Sequence, residues 1–341
     1  MAEQFFELSE QDQREALQFA AAQTGRPAHL LEKDLWVVWT LRALFTSKVG
    51  QDLTFKGGTS LSKAYKVIDR FSEDIDLTYD IRELIPELTG KSDLPSTRGE
   101  ARRWTERVRE RLPGWIQQAI SPVLQSSIEQ EGLDATLQIA GEKLFLRYPA
   151  LASGTGYIPP VITLEFGARS TGEPHAPHHV VCDMAGAVEG VVFPEAIPMV
   201  MDLARTFWEK ATATHVYCAQ QRIRSERFAR HWHDLAAIAR TAHFDEIAAN
   251  RQVADLVATH KSWFFQEKAA DGSVVDYHAA ARGSIQIVPH GAARDALGQD
   301  YALMLNDGVM VGDARTFDQL MQECVMIQDR LNTGAAPMEQ S

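Results

Sequence analysis

Residues 53–79 read LTFKGGTSLSKAYKVIDRFSEDIDLTY, and this stretch decides how the whole chain is understood. Leu53, Thr54 and Phe55 form a short β-prone run that stops at Gly57–Gly58. Over 59–68, Leu61, Ala64, Tyr65, Val67 and Ile68 recur on one side of a helix, so the pattern predicts a helix there. Residues 74–79 alternate polar and apolar, the period of a strand with one buried face. Two glycines between a strand and a helix let the backbone come close to a ligand, with the first helical amides facing it. Thr59 and Ser60 are placed to cap that helix and to donate hydroxyl hydrogen bonds to phosphate. Asp74 and Asp76 alternate along the strand and therefore project from the same face. Neighbouring carboxylates repel unless a cation lies between them, and Mg²⁺ is held by one or two carboxylates plus substrate phosphates. A phosphate cradle followed by a Mg²⁺ platform is what nucleotidyl transfer requires. A lone Gly-Gly is usually a turn and a lone Asp-x-Asp is usually surface, so the weight rests on their ordered combination.

Working outward, residues 9–25 predict a helix capped by Ser9, and 28–46 predict a second helix opened by Pro27. The region 100–130 is helical with expected interruptions at Pro113–Gly114 and Pro122. Residues 133–140 and 143–149 suit a hairpin turning at Gly141–Glu142, and 160–168 is the clearest strand of the chain. Residues 171–179, with Gly172, Pro174 and Pro177, read as a loop. Beyond them helices are expected at 198–211, 217–241, 244–260 and 314–332, around a mixed stretch at 270–300. This organisation suggests a first domain over 1–195 and a helical domain over 196–332 contributing to a cleft, with 333–341 as a disordered tail.

Composition narrows the class. The 341 residues are enough for one large or two ordinary domains, and 45% hydrophobic with 23% charged residues is ordinary for a globular protein. No run of about 18 apolar residues exists, so no membrane partner is expected. The acidic, charge-broken start lacks the basic and apolar segments of a secretory leader. Three cysteines are too few for a disulfide framework. Together these features lead us to expect a cytoplasmic protein. A net charge of −12 argues against non-specific coating of nucleic acid. Arginines do cluster at 98–111 and 222–230, either as solvated helix faces paired with glutamates or as a docking site for a polyanion.

The wording KGGTSLSKAY…RFSEDIDL resembles the polymerase β-like nucleotidyltransferases, and within them the AbiEii/AbiGii abortive-infection toxins, including MenT-type toxins. Leu31–Glu32–Lys33–Asp34 resembles that family's N-terminal element, and Leu164–Glu165–Phe166 falls where a third acidic strand residue is expected. Lys210 and Arg230–His231–Trp232–His233–Asp234–Leu235 resemble its later motifs. The resemblance implies an α+β fold, a polymerase β-like nucleotidyltransferase lobe with a mixed sheet and helices plus a mostly helical C-terminal lobe. It implies that Lys56, Gly57, Gly58, Thr59 and Ser60 hold the NTP triphosphate, assisted by Ser72. Asp74 and Asp76 would be catalytic and bind Mg²⁺, with Glu165 completing the metal site or acting as base. Lys210 would contact phosphate and Asp234 would organise that lysine, against the plainer possibilities of a surface lysine paired to Glu209 and a structural aspartate. The function implied is a toxin of a bacterial toxin–antitoxin, phage-defence system. Its expected acceptor is RNA, foremost the tRNA 3′ end, and its partner a cognate antitoxin. A protein hydroxyl as acceptor, or a non-catalytic nucleotide-binding module, are the rival readings.

Other constellations are weaker. His175, His178, His179 and Cys182 have zinc-type donors, but without a second pair at fixed spacing an irregular histidine-rich loop is the alternative. His231 and His233 cannot share a helix face. The lysine precedes the glycines, which is wrong for a Walker loop, and a dinucleotide-binding GxGxxG is absent.

Overall fold

The computed structural model describes residues 2–68, 70–153, 159–222, 227–306, 310 and 315–333. The chain divides into two compact units, one of Met1–Ala64, Phe71–Asp93 and Arg103–Met201, the other of Tyr65–Arg70, Leu94–Arg102 and Asp202–Ser341.

The first unit is built on a seven-stranded mixed sheet. Its strands in chain order are β1 (Leu53–Lys56), β2 (Ile75–Asp80), β3 (Thr136–Ala140), β4 (Lys143–Arg147), β5 (Val161–Ser170), β6 (His175–Pro177) and β7 (Met199–Met201). Across the sheet they run β3-β4-β5-β2-β1-β7-β6. β1 and β2 are antiparallel, whereas β2 and β5 are parallel. Alternation works as expected: Phe55, Ile75, Leu77, Leu144, Leu164 and Phe166 are buried on one face, and the residues between them face the other way. Helix α1 (Glu10–Thr24) starts at Ser9, whose hydroxyl accepts from the Asp12 amide, and ends at Gly25 with φ 72°. Helix α2 (Ala28–Phe45) follows Pro27 and is buried on almost every side, including Glu32, Lys33 and Asp34. Helix α3 (Gly57–Lys63) leads out of β1.

Several elements differ from their sequence expectation. α3 ends at Ala64 rather than near residue 68, because Lys66 takes a left-handed φ of 54° and Tyr65–Arg70 joins the other unit. Its N-cap is Lys56 without a side-chain cap, so neither Thr59 nor Ser60 caps it. Helix α4 (Arg98–Trp115) continues through Pro113, and the irregularity falls on a π-helical turn, Ile116–Ile120, before α5 (Ser121–Gln130). Residues 171–179 are not all loop: His175–Pro177 is an edge strand, where a proline costs no ladder bond. The hairpin turning at Gly141 and the strand at Val161–Ser170 are as read from the pattern.

The second unit is helical, with α6 (Leu203–Ala219), α7 (Ala229–Ala239), α8 (Arg251–Phe264), α9 (Gly291–Asn306) and α10 (Phe317–Thr333). The run expected as one helix at 217–241 is broken before Ala229, where Asp300 accepts the Arg227 and Ala229 amides at 2.6 Å each. Asp202 caps α6 and Asn250 caps α8. The core is aromatic, centred on Phe207, Trp208, Trp232 and Tyr301. Trp208 and Trp232 donate their indole N–H groups to the Ile247 and Ile287 carbonyls. No described helix is long and apolar enough to cross a membrane. The tail expected at 333–341 lies, but for Thr333, outside the described residues.

Candidate active site

Gly57 and Asp76 meet at the head of α3. Gly57 has φ +80°, and a Cβ built there would fall 1.9 Å from Asp76 Oδ2. Only glycine satisfies both the backbone angle and the space, so the carboxylate and the backbone entering α3 are neighbours by construction. Gly58 is the second residue of that helix and half-buried. Thr59 and Ser60 are buried and their hydroxyls serve the protein. Thr59 Oγ1 donates to the Asp74 carbonyl at 2.5 Å and lies 3.0 Å from Ser72 Oγ. Ser60 Oγ donates to the Gly57 carbonyl at 2.9 Å. These hydroxyls tie the glycine turn to the segment entering β2.

The sheet register aligns the charged residues. Lys56 is the cross-strand partner of Asp76, Asp76 of Glu165, and Glu165 of Lys143. Asp74 sits just ahead of β2, half-buried like Asp76. Lys143 escaped the sequence reading. It follows the hairpin turn and donates to Glu165 Oε1. That hydrogen bond, helped by the fields of Glu165, Asp74 and Asp76, holds the Lys143 pKa above the ordinary lysine value despite partial burial. Its signal was the hairpin pattern, but only strand order could place it beside Glu165.

Beneath this face, α2 holds both flanks of the motif. The Lys33 ammonium, 3% exposed, pairs with Glu73 at 2.6 Å and donates to the Pro159 carbonyl. Asp34 pairs with Lys63 of α3 at 2.5 Å and accepts the Asp183 amide, while Lys63 also pairs with Asp183 at 2.6 Å. Burial opposes the Lys63 charge, but Asp34 and then Asp183 outweigh it and raise its pKa. Glu32 accepts the Leu151 and Ala152 amides. The Leu31–Asp34 element is thus a clamp on the segment before Asp74 and on the helix after Gly57.

The second unit carries its own cluster. Asp234 is fully buried and receives a forked pair of hydrogen bonds from Arg70 Nε and Nη2, both at 2.8 Å. Lys210 Nζ lies 2.9 Å from Asp234 Oδ2, and His233 Nδ1 is 3.3 Å from Oδ1. Burial alone would raise the Asp234 pKa, but Arg70 and Lys210 hold it well below the usual carboxylate range. Lys210 is thus paired with Asp234 rather than with Glu209, which pairs with Arg205 at 3.1 Å. Burial, then Lys210, pushes the His231 imidazole down to about 3, so it is neutral at pH 7. Arg70 is the partner of Asp234 that pattern reading quoted without a role. Its signal is the arginine of Arg70–Phe71–Ser72–Glu73–Asp74.

The zinc-type residues do not converge. His175 bonds Thr54, His179 bonds Glu195, Cys182 donates to the Pro194 carbonyl and Asp183 pairs with Arg26. Among the described residues no group of three or more His, Cys, Asp or Glu is gathered as metal ligands. Asp74 and Asp76 remain as a carboxylate pair, which fits Mg²⁺, an ion that completes its shell with water and phosphate. The arginine-rich 98–111 segment is largely engaged. Arg98 donates to the Ser262 carbonyl and lies over Trp263, and Arg107 and Arg111 pair with Glu87. Of the 222–230 cluster, Arg224 lies outside the described residues.

Comparison with known proteins completes the description. Residues 39–323 match the family described as the nucleotidyl transferase AbiEii toxin of type IV toxin–antitoxin systems. A comparison with curated proteins returns no match. Among solved structures, MenT4, a nucleotidyltransferase toxin from Mycobacterium tuberculosis H37Rv, is similar at 17% identity over 94% of this chain and 99% of its own, with a TM-score of 0.44. With its glycine turn, paired aspartates and later lysine and aspartate all inside the matched span, this chain belongs to the AbiEii family of nucleotidyltransferase toxins.

Proposed function

We propose that the enzyme moves a nucleotide from an NTP to a hydroxyl of RNA, foremost the tRNA 3′ end, using Mg²⁺ bound by Asp74 and Asp76. The observation that supports this most is the approach of Gly57 to Asp76. Polyphosphate drawn to that backbone lies beside the carboxylates, with the Lys56 ammonium opposite Asp76 in the sheet. Bound there, Mg²⁺ supplies charge that offsets the phosphate oxygens and those developing on the leaving group. Asp74 and Asp76 would hold that ion at the mouth of the glycine turn, and the Thr59–Ser72 network keeps the Asp74 backbone in place. The acceptor hydroxyl gives its proton to solvent as its oxygen bonds the α-phosphorus, and pyrophosphate leaves as the bond to the bridging oxygen breaks. Lys210 adds a compact positive charge for phosphate, and Asp234 fixes its ammonium. Glu165 is the third acidic residue of this face. Growth arrest is the biological outcome, relieved by an antitoxin encoded beside the toxin.

The test is incubation of the purified protein with each α-³²P-labelled NTP, Mg²⁺ and total tRNA, beside Asp74→Ala/Asp76→Ala. Label on tRNA that vanishes in the variant supports the reading and names the donor. Label on protein instead would replace RNA with a protein hydroxyl as acceptor, and no transfer with either would overturn the proposal.

A further inference from the structure

A single cross-strand row on four adjacent strands reads Lys143, Glu165, Asp76, Lys56. Partners in register share a face, with backbones roughly 5 Å apart, so two carboxylates lie between two ammonium groups. Lys143 is hydrogen-bonded to Glu165, and both side chains are half exposed. No part of the nucleotide-transfer reading uses this lysine.

We propose that Lys143 sets the number of carboxylates offered to the metal, holding Glu165 so that Asp74 and Asp76 act as the ligands. This rests on the Mg²⁺ reading above. Mg²⁺ favours one or two carboxylates and leaves its other positions to water and phosphate, whereas more carboxylate oxygens suit larger, more flexible ions. Released from Lys143, Glu165 would add a third carboxylate to this face, raise cation affinity and retain the metal after pyrophosphate leaves. Lys143 prevents that by being the nearer partner of Glu165, and its own charge opposes a second cation on the same face. An exposed Lys–Glu pair is weak, so the device tunes affinity and remains sensitive to salt.

The experiment measures Mn²⁺ binding to the full-length protein by electron paramagnetic resonance of the free ion. Its samples are wild type, Lys143→Met, Lys143→Arg, Glu165→Gln, the double variant Lys143→Met/Glu165→Gln, and Asp74→Ala/Asp76→Ala. Lys143→Met should bind Mn²⁺ roughly three- to tenfold more tightly, the effect of deleting one like charge near a divalent ion at surface dielectric. Lys143→Arg should match wild type, Glu165→Gln should weaken binding by a similar roughly three- to tenfold through loss of one negative charge, and the double variant should return toward wild type. Affinity in Lys143→Met equal to or weaker than wild type, with binding lost in Asp74→Ala/Asp76→Ala, overturns the role of Lys143 and leaves the metal platform standing. Loss of binding in Glu165→Gln as severe as in the double aspartate variant also overturns it, because Glu165 would then be a ligand in its own right. Absence of Mn²⁺ binding in every sample overturns this proposal and the metal reading together.

Discussion

Asp76 and Asp234 are the same residue type in opposite settings. Asp76 stands half-buried on an open sheet face, against the bare backbone of Gly57 and between other charged residues of its row. Asp234 is sealed in a helical core, with a guanidinium and an ammonium compensating its charge. A carboxylate on a sheet face beside a second carboxylate is placed to attract a cation. A carboxylate buried between two cations is part of the fold, because removing it strands two positive charges away from water. The contrast separates a residue whose loss should be read in activity from one whose loss should be read first in stability.

The largest effect should come from Asp76→Asn. Transfer activity should fall by at least about a thousandfold, the scale for losing a principal electrostatic group, with the melting temperature essentially unchanged. Strong destabilisation in a thermal melt would erase the contrast with Asp234. Next, Asp234→Ala should cost about 3–5 kcal/mol of stability, because Arg70 and Lys210 lose their partner in the interior. Denaturant titration checks this, and pairing it with Arg70→Met should recover much of the loss. Additive costs in that cycle would mean the two side chains are not coupled. Gly57→Ala sharpens the comparison from the backbone side. The positive φ and the clash with Asp76 should cost about 1–3 kcal/mol and displace the carboxylate, so activity should fall more than stability alone explains. Lys33→Met should be milder, about 2 kcal/mol for a lost charged hydrogen bond, and should raise KM for NTP through the segment before Asp74.

The helical unit also carries a pH dependence. His231 has its folded pKa lowered from 6.5 to about 3, so the unfolded chain takes up a proton that the native state refuses. Stability should therefore decline as pH falls from 6.5 toward 3. Asp234 works in another range. Its depressed pKa supplies stability above the ordinary carboxylate value, and that stability is lost only as pH falls through the lower folded one. In His231→Gln, urea midpoints between pH 6.5 and 4 should vary less than in wild type. An unchanged slope would remove His231 as its source.

Much of this was legible in local pattern. The strand, paired glycines, helix and alternating carboxylates are encoded within residues 53–79, because strand alternation and the demands of a tight turn act between near neighbours. The Ser9 cap, the hairpin at Gly141 and the strand Val161–Ser170 were legible for the same reason. The edge strand His175–Pro177 was not. Its residues carry loop signals, and its ladder is completed by Met199–Met201, which no local pattern announces. The early end of α3 likewise reflects where Tyr65–Arg70 packs rather than its own apolar spacing. By itself the sequence determined which charged side chains gather near the glycine turn, since spacing along one strand sets which side chains share a face. Only the tertiary structure decided that Lys143 answers Glu165, that Lys33 and Asp34 clamp the motif from below, and that Arg70 neutralises Asp234. Those are pairings of charges far apart in the chain, and their strength depends on burial and strand order, which exist only once the chain has folded.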